Sequence, residues 1–443
     1  MDALAPSSLP TSRRPRRILH VDVDAMFVQC ASLEDPERLA NEPLILVGGS
    51  PTGRGVVTSA SYGCRAFGVR SAMPMATALR LCPKAVVVRV PGAMIRQKSH
   101  ELREVLADWT PVMAVASVDE AYLDLTGTEE LYRHESLEAI ARALQRQVKE
   151  RTGLDVSIGG GTNRLVAKLA TGFAKPRGVF VVPPGEEESF VARLQIGDLI
   201  GIGPSFEAEL RRRGVTSMEA LRALDIATMA GWWGRERAEW LWRRCRGIDE
   251  ASIGGRGVGS RSISSERTFG RDLSSVVELE EALLALVIDV SSSLRRKGLF
   301  TRTVTVKLRY ADFQDRSRSR TLDAPIQTER AIFTVARELL HSLRARRDDP
   351  VRLIGVGLTN LDTHGENAQG RLVDLIPPPE SARDRALASA ADRLRSRFGA
   401  DALRPARLLY RQRSERPGGS RGGASGGRPK REGRGNDPPK SSP

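Results

Sequence analysis

The sequence predicts an α+β chain of several domains, and three observations carry that expectation. The chain has 443 residues, 40% of them hydrophobic, which is more than one small core uses. Strand-like and helix-like periodicities alternate through the first half. A helical stretch, a glycine-rich joint and a second mixed segment then follow.

Residues 1–15 hold Pro, Ser and Arg without an apolar run, which predicts a disordered leader and no signal peptide. Residues 16–30 read as a buried strand running into a helix or turn. Short strands are expected at 43–47, 56–57 and 85–90, with a helix starting near Ser61. The spacing of Ile95, Leu102, Val105 and Leu106 predicts a helix over 94–109. A strand pair around Ser117 spans 112–125. The stripe Leu137, Ile140, Ala141, Leu144 and Val148 predicts an amphipathic helix. A strand at 156–160 ends in glycines, and a helix over 163–173 stops before Pro176. Residues 186–247 are helical, 251–260 form a glycine-rich linker, and the second mixed region has helices at 276–296 and 329–343 and strands at 301–310 and 351–361. Residues 411–443 are rich in Gly, Pro and basic side chains, too poor in apolar groups to bury a core, and are expected to be disordered.

Composition excludes several classes. No apolar run approaches the roughly 18 residues a bilayer span needs. The 4 cysteines form no CxxC pair and the 5 histidines no HxxxH pair, which argues against a disulfide scaffold and a zinc finger. The net charge of +15 favours a polyanionic partner, nucleic acid first, although arginine-rich solvated surfaces give the same surplus.

Two segments place acids in apolar strands. In 19–24, Leu19, Val21 and Val23 face one way and His20, Asp22 and Asp24 the other. A second segment carries Asp119 and Glu120 side by side. Adjacent strand residues point to opposite faces, so both reach one site only if the strand bends or begins there. Three acids from two strands suit a divalent cation, and hard oxygen donors favour Mg²⁺. The same pattern also fits acids that cap strand ends or sit on a solvated hairpin.

Taken together, five motifs resemble those of Y-family translesion DNA polymerases, most closely the bacterial ones. Ile18-Leu19-His20-Val21-Asp22-Val23-Asp24-Ala25-Met26-Phe27 is similar to the first palm motif. Ser117-Val118-Asp119-Glu120-Ala121-Tyr122-Leu123-Asp124 is similar to the second. Ala60 to Pro74 resembles the fingers motif, Thr162 to Ala170 with Ala174-Lys175-Pro176 the palm helix, and Ser262 to Phe269 the start of the little finger. The likeness covers roughly residues 16–410, in order. It implies a right-hand polymerase with a palm (16–25 and 90–184), fingers (26–89), a helical thumb (185–249), a linker (250–260), an α/β little finger (261–365), a C-terminal segment (366–410) and a basic tail (411–443).

Implied roles follow residue by residue. Asp22, Asp119 and Glu120 hold two Mg²⁺, with the Val23 carbonyl completing one of them. Tyr62, Arg65 and Lys175 meet the triphosphate, and Ser59 adds a hydroxyl. Phe27, five residues after Asp22, is the steric gate against a ribose 2′-hydroxyl. Asp24 and Asp124 lie in the motifs without a metal role, and His20 is a strand residue rather than a base. Val56 and Thr58 lie over the incoming base. The chain departs from the family at Arg164, where Lys is usual, and at Met26, where an aromatic is usual.

Leu199 to Pro204 resembles a helix-hairpin-helix turn, in which Gly201 and Gly203 let backbone N–H groups approach a DNA phosphate. Basic residues from Arg295 to Arg320 are expected on one sheet face, tracking phosphates. The stretch Arg371-Leu372-Val373-Asp374-Leu375-Ile376 resembles a clamp-binding peptide with Arg in place of Gln, so Leu372, Leu375 and Ile376 would fill a groove on the sliding clamp. The expected partners are primer-template DNA, deoxynucleoside triphosphates and that clamp. The expected state is a cytoplasmic monomer without membrane contact or proofreading exonuclease. A noncatalytic accessory protein would have lost the palm acids. A palm-like nucleotide cyclase would not need the thumb-like and 262–269 segments.

Overall fold

The computed structural model describes residues 15–254, 261–363, 380–399, 402–403 and 405. Most of the expected leader, part of the linker, the hexapeptide at 371–376 and the basic tail lie outside the described residues. The chain divides into two compact units, Met1–Gly259 and Ser260–Pro443. No helix among the described residues is long and apolar enough to cross a membrane.

In the first unit a five-stranded sheet has the order Met113–Val115, Glu120–Asp124, Ile18–Val23, Val156–Gly161, Val179–Val181. The central strand Ile18–Val23 is antiparallel to both neighbours. Leu19, Val21 and Val23 enter one core with Leu102, Val105 and Leu106 of helix Gly92–Ala107 and Ile140, Leu144 and Val148 of helix Leu137–Thr152. Ser136 caps the latter helix by accepting from the Ala139 N–H at 3.1 Å, and Gly153 ends it at φ 72°. The opposite face, with His20 and Asp22, is covered by helix Arg164–Ala174. That helix lies close because residue 159 is glycine: a Cβ there would stand 2.1 Å from Ala167 O and 2.2 Å from Thr171 N.

A three-stranded sheet, Val57–Ala60, Ile45–Gly48, Val86–Val88, packs with helices Tyr62–Ala66 and Met75–Leu81 around Leu46, Val57, Cys64, Met75 and Cys82. A helical cluster follows, with helices Glu187–Ala192, Pro204–Arg212, Met218–Ala223, Ile226–Trp233 and Arg235–Arg244 around Phe206, Leu210, Leu221 and Leu241. All four cysteines are free and buried.

The second unit is an antiparallel sheet, Asp315–Ile326, Phe300–Tyr310, Val351–Asp362, Ser262–Leu273, whose core is built with helices Val276–Arg296 and Glu329–Arg344. Val304, Val306, Leu308 and Tyr310 alternate inward from Phe300–Tyr310. A helix not anticipated in the sequence, Ala382–Phe398, is fastened by Arg295, which donates to Asp392 at 2.6 and 3.0 Å and to Glu329 at 2.9 Å. Only Ala388 and Ala391 of that helix are buried, so its apolar stripe is too weak to see in the sequence.

The expected basic stripe is corrected here. Arg316, Arg318 and Arg320 stand opposite Leu308, Val306 and Val304, on the face of the sheet that carries the helices. Arg318 donates to Ser342 Oγ at 2.6 Å and Arg320 is paired with Glu338. Arg295 is buried in the ion pairs just described. On the other face, Lys307 and Arg309 alternate with hydroxyls, and both are paired, with Glu266 at 3.1 Å and Asp315 at 2.6 Å. The basic residues are divided between two faces because period-2 alternation separates the strands' arginines from their neighbours' lysine and arginine.

Candidate active site

Asp22 and Glu120 are direct cross-strand partners. Such residues project from the same face with Cβ atoms roughly 5 Å apart. Asp119 resolves the alternation problem: the strand begins at Glu120, and Asp119 sits in the bend before it. Asp119 O accepts from the Val23 N–H at 2.9 Å, which ties the two acidic segments together at their backbone. Ser117 Oγ donates to Asp119 Oδ1.

Cations of the chain meet the other two carboxylates. Lys175 Nζ is 2.5 Å from Asp22 Oδ1, and Lys168 Nζ donates to Glu120 Oε2. Lys168 was not anticipated. It shares a helix face with Thr171 and Lys175, three and seven residues on, a spacing that was legible. Thr171 Oγ1 lies 2.8 Å from Nδ1 of the fully buried His20, whose Nε2 is 3.5 Å from Glu120 Oε2.

These contacts set the ionisation. The His20 imidazole, with Lys168, holds the Glu120 carboxyl down to about 2 against its burial. Burial pulls His20 below its ordinary value against the hydrogen bond to Glu120. Burial pushes Asp22 upward against the pull of Lys175, and the nearby Asp119 charge adds to the rise.

Among the described residues, no group of three or more His, Cys, Asp or Glu side chains is already arranged as a metal cage. The donor chemistry fits divalent cations all the same. Three hard oxygen groups are gathered at one sheet end, and two of them already draw ammonium groups onto their oxygens. Exchange of Lys175 and Lys168 off Asp22 and Glu120 is the rearrangement such binding requires.

The strand ends at Val23, which is 2% exposed. Ala25 turns the chain at φ 45°, a left-handed conformation that is strained for a residue with a Cβ. Helix Met26–Glu34 begins at once and puts Phe27 against two cores, that of the five-stranded sheet and that of Val28, Ile45 and Val47. Tyr62 opens its helix behind the Ser61 cap, and its hydroxyl donates to Asp24 Oδ1 at 2.7 Å. The exposed Arg65 places its guanidinium 4.6 Å from the Tyr62 ring centre and donates to Ala60 O at 3.0 Å. Ser59 is buried in the adjacent strand, whereas Val56 and Thr58 are exposed. Arg164 lies 4.5 Å over the Tyr122 ring.

A family model described as the impB/mucB/samB family matches residues 21–172, and the C-terminal domain of the same family matches 260–372. The DNA polymerase IV of Halorhodospira halophila is 39% identical over 346 residues, 78% of this chain and 95% of the relative. The chain belongs to the Y-family translesion DNA polymerases. The DNA polymerase IV of Desulfatibacillum aliphaticivorans is 36% identical over 392 residues, 88% of this chain and 96% of the relative. The fold agrees: a solved Y-family DNA polymerase chimera superposes with a TM-score of 0.71 at 22% identity, covering 79% of this chain and all of its own. The five-stranded sheet is thus the palm sheet of a right-hand polymerase, and the second unit is the C-terminal sheet domain.

In the helical thumb, the element before Gly201 is a three-residue 3-10 turn, Ile196–Asp198, rather than a full helix. Gly201 has φ 98°, and a Cβ on it would stand 2.5 Å from the Trp240 ring. Gly201→Ala is expected to destabilise the protein by about 1–3 kcal/mol, read as a lower Tm. Gly203 has φ −91° and open space around it. If Gly203 admits a DNA phosphate as expected, Gly203→Ala melts close to the parent and binds primed DNA more weakly in a fluorescence-anisotropy titration. The hexapeptide expected to bind the clamp, with Leu372, Leu375 and Ile376, lies outside the described residues.

Proposed function

We propose that the chain is a template-dependent, low-fidelity DNA polymerase that adds deoxynucleotides to a primer 3′-end by two-metal phosphoryl transfer, without proofreading. Asp22, Asp119, Glu120 and the Val23 carbonyl would hold two Mg²⁺. Bound there, such ions supply acidification of the primer hydroxyl and neutralisation of the departing pyrophosphate. Asp22 would serve both positions, a reading supported by its pairing with Glu120 across the sheet and by the nearby Asp119 charge. Arg65 offers a fork of donors and Lys175 a point charge for the triphosphate, with Tyr62 between Arg65 and the palm and Ser59 close by. Phe27 sits where the strand turns into the fingers and would press on the sugar, excluding a ribose 2′-hydroxyl.

The observation that carries this reading is the facing pair Asp22 and Glu120, with Asp119 entering from the bend beside them, in a chain of this family. Primer-template DNA and deoxynucleoside triphosphates are the proposed partners. Contact with the sliding clamp through Leu372, Leu375 and Ile376, a monomeric state and a cytoplasmic location complete the proposal. Primer extension on a primed template with Mg²⁺ and deoxynucleotides tests it. Stepwise lengthening of the primer is expected, and no lengthening contradicts the reading.

A further inference from the structure

Asp24 is the second acid of the first palm segment, and the chemistry above gives it no role. It is 4% exposed, yet its carboxylate takes three donors. Tyr62 Oη donates to Oδ1 at 2.7 Å. Ser157 Oγ and the Arg177 backbone N–H both donate to Oδ2 at 2.8 Å. The main chain is held as well: the Asp24 N–H reaches Asp155 O at 3.0 Å, and Gln29 Nε2 donates to Asp24 O at 2.6 Å. A buried carboxylate is tolerated only with such donors, so the three segments that supply them are bound to one point.

Two of those segments lead to the nucleotide pocket. Tyr62 carries the Arg65 guanidinium over its ring. Arg177, left-handed at φ 54°, lies two residues after Lys175, so its N–H bond to Asp24 anchors the segment that follows that lysine. Ser157 is a strand residue of the palm sheet and the cross-strand partner of Asp22. The Tyr62 hydroxyl donates to Asp24, which holds its ring under the Arg65 guanidinium.

We propose that Asp24 is the positioning residue of the nucleotide pocket, fixing Arg65 through Tyr62 and Lys175 through Arg177. The proposal rests on the assignment of Arg65 and Lys175 to the triphosphate. It touches neither the reacting atoms nor the cations, so its loss weakens nucleotide binding more than turnover.

Steady-state insertion of one correct deoxynucleotide by the full chain with Mg²⁺ is the test. Asp24→Asn is expected to raise the nucleotide KM about tenfold while kcat stays within about threefold. Tyr62→Phe raises KM in the same direction, and the double variant is no worse than Asp24→Asn, because both break one contact. An unchanged KM in Asp24→Asn, or effects of Asp24→Asn and Tyr62→Phe that multiply, overturns the proposal. Should Asp24→Asn fail to fold, as judged by circular dichroism and melting, Tyr62→Phe decides alone: an unchanged KM there overturns it. A parent protein that inserts no nucleotide refutes the polymerase assignment itself, and the proposal with it, so the two failures are told apart.

Discussion

Replacing Asp119 and Glu120 together by alanine is expected to remove primer extension, with a fall in kcat on the order of a thousandfold or more. The size of the loss follows from charge. In the parent, Glu120 and Asp22 pair with Lys168 and Lys175 at the end of the palm sheet, with Asp119 in the bend beside them. In the double variant Asp22 alone opposes the two lysines, and the site proposed to gather divalent cations would repel them. Folding is not at stake to the same degree, because both side chains are part-exposed and the palm core of Leu19, Val21 and Leu123 is untouched. Circular dichroism and a melting curve establish that the variant is folded, and a gel of extended primer reads the activity. Equal product from parent and variant would trace the activity to a contaminant.

Phe27→Ala is expected to admit ribonucleotides. The ratio of kcat/KM for a deoxynucleotide over its ribonucleotide should fall by about ten- to a hundredfold, the range that removal of one steric contact permits. The position rather than the residue type makes this prediction. Phe27 is held at the first turn of its helix by the reversal at Ala25, next to the palm acids, and packs into cores on both sides. Truncation also leaves a cavity, at a cost of about 3 kcal/mol. Phe27→Leu retains more packing and should show the same trend with less loss of Tm. Unchanged sugar discrimination in both variants removes the gate assignment.

What could be seen in the sequence was local. The alternation of 18–23 marked a strand with His20 and Asp22 on one side, and that strand is the centre of the palm sheet. Asp119 beside Glu120 was ambiguous, because no local pattern says where a strand begins. The pairing of Asp22 with Glu120 settles it. Strand Asp315–Ile326 escaped notice because its arginines and serines alternate without an apolar face, as suits a sheet edge. Strand Val179–Val181 is simply too short to show a period. Lys168 was readable from its spacing to Lys175. The donors on Asp24 were not, since they lie 38, 133 and 153 residues away and meet only in the folded chain.

The most direct test of the account is a crystal structure of the enzyme with primed DNA and an incoming nucleotide, grown in Mn²⁺ and recorded for its anomalous signal. Two peaks about 3.5–4 Å apart, bounded by Asp22, Asp119 and Glu120, are the predicted result. Lys168 and Lys175 should then have left Glu120 and Asp22. A correctly seated primer and nucleotide with those carboxylates still on their lysines, and no anomalous peak among them, would contradict it.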